Sequence, residues 1–124
     1  MPITNWGAQA TTYNIGSNIS NNYIQYCAIG SGSGTFAATE TTLINERTRA
    51  FVTGSPNFTT ARKVEFQFDF TASTMSGLGL TEIGFVGSYP ALQGSTWQIE
   101  RFPSQSFNGT QELQVVDIIE VLRG

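Results

Sequence analysis

The stretch RKVEFQFDFTA, Arg62 to Ala72, places Val64, Phe66, Phe68 and Phe70 on one face of an extended chain and Lys63, Glu65, Gln67, Asp69 and Thr71 on the other. Successive side chains of a strand point to opposite faces, so this alternation predicts a half-buried antiparallel strand. Burying each of its phenylalanines is worth about 1.5 to 3 kcal/mol, which makes the segment the expected anchor of the core.

On either side of it, similar runs occur at Tyr23 to Ile29, Ile44 to Thr53, Leu80 to Val86, Thr96 to Phe102 and Glu112 to Leu122. Between them stand turn signals: Gly54-Ser55-Pro56-Asn57, Ser76-Gly77, Tyr89-Pro90, Gln93-Gly94-Ser95 and Asn108-Gly109. Short strands at regular intervals predict an all-β protein, an antiparallel β-sandwich of jelly-roll-like or Ig-like kind. Two segments fit this less well. Asn5 to Asn22 places Trp6, Ala10 and Tyr13 at helical spacing, but Gly7 and the Thr11-Thr12 pair weaken a helix, so an N-terminal arm or short helix is expected over residues 1–22. Thr39 to Glu46 reads as a helical turn capped by Thr39 with Glu40 in its first turn. A single sandwich domain is then expected over residues 23–124.

The chain has 124 residues, of which only 12% are charged, and a formal net charge of -3. Six scattered basic residues make no footprint for a nucleic-acid backbone or an anionic membrane, so neither is an expected partner. Thr, Ser, Asn and Gly are abundant, which suits a surface of uncharged hydrogen-bonding groups covered by neighbours. Cys27 is the only cysteine and lies in an apolar alternating run; a core hydrophobe is the expectation, with no internal disulfide and no thiolate metal site. The N-terminus lacks a basic start and an apolar core, and no run approaches the ~20 apolar residues of a membrane helix, so synthesis in a reducing cytoplasm is expected.

Catalytic chemistry finds little support in the residues. There is no histidine, which removes the commonest general base and most zinc or iron sites. Glu65 and Asp69 sit on the polar face of the phenylalanine strand, where solvation and cross-strand pairing account for them. Glu46-Arg47-Thr48-Arg49 and Glu100-Arg101 read as local ion pairs or subunit contacts. GSGSG, Gly30 to Gly34, is followed by Thr35-Phe36-Ala37 with no lysine, so it lacks the ammonium of a phosphate loop and reads as a turn. No catalytic residues, cofactor or metal are therefore expected.

The run NNYIQYCAIGSGSGTFAATETTLINERTR resembles a segment of tailed-phage virion proteins, in which a strand ending in A-x-G-x-G is followed by a small-residue loop, a T-D/E-T-x-L element and E-x-x-R. TEIGFVGS, Thr81 to Ser88, is similar to the I-T-E-I-G-L-F element of the same proteins and follows a strand with the F-x-F pattern, as it does there. Together these cover roughly Tyr23 to Ser88. The resemblance implies a β-rich structural protein of the phage particle, of the tail-fibre, baseplate or head-decoration kind, assembled into the virion after synthesis in the host cytoplasm. It carries no catalytic residues. The chain lacks the repetitive shaft or heptads of a fibre, which favours a capsid decoration protein that binds the major capsid protein or other virion proteins, as a homo-oligomer, over a tail or baseplate part.

ELQVVDIIEVL, Glu112 to Leu122, is apolar on both faces, as expected of a strand covered on both sides or used at a subunit contact, and its Asp117 then needs a partner. The expected contact residues are Trp6 and Tyr13 of the N-terminal segment, Pro2 to Tyr13, with Val116, Ile118 and Leu122 of the last strand. In the alternative, a carbohydrate-binding receptor module, Trp97 is the residue expected to stack on a sugar ring.

Overall fold

In a computed structural model of the chain, residues 2–16, 24–54, 56–60, 62–87 and 96–120 are described. They form two antiparallel sheets and two helices, a sandwich as the alternating runs require. The elements in order are α1 (Asn5–Gly16), β1 (Ile24–Gly30), β2 (Glu46–Phe51), β3 (Asn57–Thr60), β4 (Lys63–Phe70), α2 (Ala72–Met75), β5 (Gly79–Gly87), β6 (Thr96–Ser106) and β7 (Leu113–Glu120). One sheet has the order β2-β1-β5-β6, the other β3-β4-β7. An immunoglobulin sandwich would run A-B-E-D and C-F-G; the order here is different, although the layering is the same.

β4 is the central strand of the smaller sheet and buries Phe66, Phe68 and Phe70, as its alternation demands. Phe68 meets Phe85 of β5 across the sandwich with ring centroids 5.6 Å apart. Cys27, Ile29, Met75, Leu78 and Leu80 complete this inter-sheet core, and Cys27 is fully buried as a small hydrophobe. Its thiol is pushed far up by burial and secondarily by the charge of Asp117, so it is no nucleophile. The chain changes sheets after β2: Val52 donates its N–H to Gln25 in the larger sheet, and Thr53 donates to Gln67 in the smaller one.

The N-terminal segment is a helix docked on its own chain. Pro2 to Thr4 lies along β6, with an antiparallel bridge between Ile3 and Gln98 and backbone bonds from Ile99 to Pro2 and from Thr4 to Trp97. The Thr4 hydroxyl then accepts the Gly7 N–H at 3.0 Å and starts the helix as an N-cap. Gly7 looks like a helix breaker in the sequence, yet a Cβ there would stand 2.5 Å from the Trp97 carbonyl oxygen, so only glycine permits this approach. Beside it, Trp6 packs edge-on against Trp97 at 5.6 Å.

The fold corrects one expected segment and adds two short elements. Residues 39–46 hold no helical turn; the chain runs as irregular loop and turn, and β2 begins at Glu46 rather than Ile44. A four-residue strand, β3, starts at Asn57, where the sequence offers only a turn signal. A short helix, α2, follows β4, capped by Thr71, whose hydroxyl accepts the Thr74 N–H.

Candidate functional site

Two regions concentrate the polar and exposed apolar groups on which function can rest. The first lies on the outer face of the larger sheet, beneath the loop that joins β1 to β2. Glu82 stands on β5 in the middle of an apolar run and is fully buried. Its Oε1 accepts the N–H groups of Gly32 at 3.1 Å and Asn45 at 2.8 Å, and its Oε2 accepts from Ile44 and from Arg101 Nε, both at 3.1 Å. Each oxygen is thus satisfied twice, the condition under which a buried carboxylate is tolerated.

Arg101 of β6 turns its remaining fork to Glu40 of the loop, Nη1 to Oε1 at 2.9 Å and Nη2 to Oε2 at 2.5 Å. The hydrogen bond from Arg101 holds the Glu40 carboxyl below the usual range, with a contribution from the Ala37 N–H, and the Arg101 guanidinium is held more basic by the Glu40 bond in return. The Thr81 hydroxyl donates to the Gly32 carbonyl, and Thr96 donates to the Thr41 carbonyl at 2.8 Å. Leu43 adds an apolar pin, packed with Ala28, Val86 and Ile99.

The glycine stretch therefore does meet an anion, the chain's own Glu82 carboxylate, through the N–H of Gly32 and the close passage of Gly30. A Cβ at Gly30 or Gly32 would stand 2.6 Å from Glu82 Oε1, so both glycines are demanded by close approach; Gly34 alone of the three has a positive φ, +145°. Arg101 pairs with residues distant in the sequence and not with its neighbour Glu100, whereas Glu46 and Arg49 do form the local pair expected, in a two-pronged contact at 2.7 Å. The chemistry of the first region is structural: carboxylates and guanidinium saturate one another and the loop backbone.

No protein-family model, curated protein or solved structure matches the chain.

The second region is the outer face of the smaller sheet. In the β4–β7 register Gln67 faces Val116, Glu65 faces Ile118, Lys63 faces Glu120 and Asp69 faces Gln114. Val116 and Ile118 point outward, 46% and 53% exposed. At one end of this apolar pair Lys63 and Glu120 form an ion pair at 3.3 Å. At the other, Asp69 accepts from Thr53 Oγ1 at 2.9 Å and from Gln114 and Gln67, bonds that hold its carboxyl below the usual range, Thr53 first. Two exposed apolar side chains with a polar border have the anatomy of a small contact surface.

The remaining expected contact residues are placed as follows. Trp6 is half-buried against Trp97, and Tyr13 lies within α1. Leu122 lies outside the described residues. Trp97 is half-buried and packed against the inter-sheet core, its Nε1 buried without a hydrogen-bond partner among the described residues. Phe58, at 75%, and Phe51 and Ile44 are further exposed apolar side chains that periodicity did not single out.

Proposed function

We propose that this chain is a structural subunit of a tailed-phage particle, a decoration protein that binds the capsid shell as a homo-oligomer and has no catalytic role. The observation that carries the reading is the outward row of Val116 and Ile118 between the Lys63–Glu120 pair and the Asp69 cluster, an apolar surface left uncovered by the chain itself. Supporting it, the residues on which the resemblance to virion proteins was read lie in one place: Gly30 and Gly32, Glu40, Leu43 and Glu82 belong to the loop clamp on the larger sheet, as a scaffold motif would. Contacts of this kind, repeated over a shell, stabilise it by mass action.

Cryo-electron microscopy of particles carrying the chain tests the location. Density repeated over the head lattice with β4 and β7 at the contact is the expected result; a few copies at the tail tip would replace it with the receptor-module reading and make Trp97 the residue to test against glycans. Light scattering of the isolated protein tests the surface. Ile118→Lys is expected to abolish association while the fold persists by circular dichroism; association unchanged in this variant removes the outer face of β7 from the proposal.

A further inference from the structure

Asp117 is a buried carboxyl on an edge strand. It points inward from β7, 6% exposed, opposite Phe66 in the β4 register, between Val115 and Ile119, which pack on the core. Its Oδ2 is buried and has no hydrogen-bond partner among the described residues. The titratable group facing it from the larger sheet is the Cys27 thiol of β1. The charged residues of β4, Lys63, Glu65 and Asp69, pair with the outward positions of β7 and so lie on the other side of the sheet. The amino terminus supplies a weaker attraction that does not reverse the effect of burial.

A charged carboxylate in this position lacks the donors that surround Glu82, and burial alone disfavours ionisation. Among the described residues β7 is hydrogen-bonded on one side only, to β4, so it can open without breaking a second ladder there. We propose that Asp117 is a proton-operated latch: while it is neutral the β7 edge lies closed on the core, and its ionisation loosens β7 from β4 so that the carboxylate reaches water. Burial raises the carboxyl from 3.8 to about 6. The closed state thus holds the proton more tightly than the open one. Closure is strongest at low pH, weakens as the pH rises between those two values, and levels off above the upper one.

Amide hydrogen exchange, corrected for the intrinsic rate at each pH, tests this. Between pH 5 and pH 7.5 the opening equilibrium of β7 is expected to rise about ten-fold while β5 stays protected, and Asp117→Asn is expected to abolish the difference. Equal protection of β7 at both pH values, or the same pH dependence in Asp117→Asn, overturns the latch. Should the variant not fold, the wild-type Asp117 carboxyl carbon decides by NMR: a midpoint near 6 that tracks β7 opening supports the latch, and a midpoint near 4 overturns it.

Discussion

Glu82 and Asp117 are both buried acids on strands, and their surroundings differ in every respect that matters. Glu82 sits under a loop whose backbone N–H groups need acceptors and beside an arginine; it meets three of the former and the latter, and ties β5, β6 and the loop together. Asp117 sits among Phe66, Val115 and Ile119 with one oxygen unmet among the described residues. The same functional group is cement in one place and a liability in the other, because desolvation is offset only by donors already in position.

Dismantling the satisfied acid should cost the most. Glu82→Leu leaves the N–H groups of Gly32, Ile44 and Asn45 unpaired and is expected to cost about 3 to 5 kcal/mol in urea unfolding. A loss under about 1 kcal/mol would mean that the loop is held by Leu43 and not by the carboxylate.

Removing the other acid's charge should act with the opposite sign. Asp117 is raised from 3.8 to about 6, so its stabilising proton is bound below the first value and lost as the pH passes the second. Asp117→Asn is therefore expected to gain up to about 3 kcal/mol at pH 8 and little at pH 4. Equal effects at both pH values would erase the contrast with Glu82.

Arg101→Lys keeps the charge but loses the planar fork toward Glu40. It should cost about 2 kcal/mol, and it should return the Glu40 carboxyl toward its ordinary range, which NMR titration reads directly. A Glu40 titration unmoved by this change would assign its lowered value to the Ala37 N–H instead. The smallest effect is expected at the N-terminus, where Thr4→Ala removes the cap of α1 for about 1 kcal/mol. Urea unfolding with tryptophan fluorescence follows it through the Trp6–Trp97 pair.

Much of the architecture could be read from the chain because alternation is local. All six strands read from periodicity are present as β1, β2, β4, β5, β6 and β7, within a few residues at their ends. β3 escaped because four residues give too short a pattern, and β6 runs on through Pro103 because the register with β5 shifts there, between Leu80 and Glu82. That Val116 and Ile118 share one face, opposite Asp117, was also local, since it follows from the parity of β7, but with apolar residues on both faces the packing against β4 and the core had to choose which one turns outward. The Glu40–Arg101–Glu82 assembly was not, although an acid within the apolar run Leu80 to Val86 was a signal that a partner had to arrive from elsewhere.

The alternation that makes strands, the phenylalanine face that makes a core, and the absence of histidine are properties of the chain before it folds. The assembled fold is what sets Gly32 against a carboxylate, lets Gly7 admit a helix against Trp97, and turns Asp117 inward with one oxygen unpaired among the described residues. Strand formation depends on neighbours two residues apart, whereas the fate of a buried charge depends on donors brought together from across the chain, Arg101 to Glu40 over 61 positions being the widest span in the clamp.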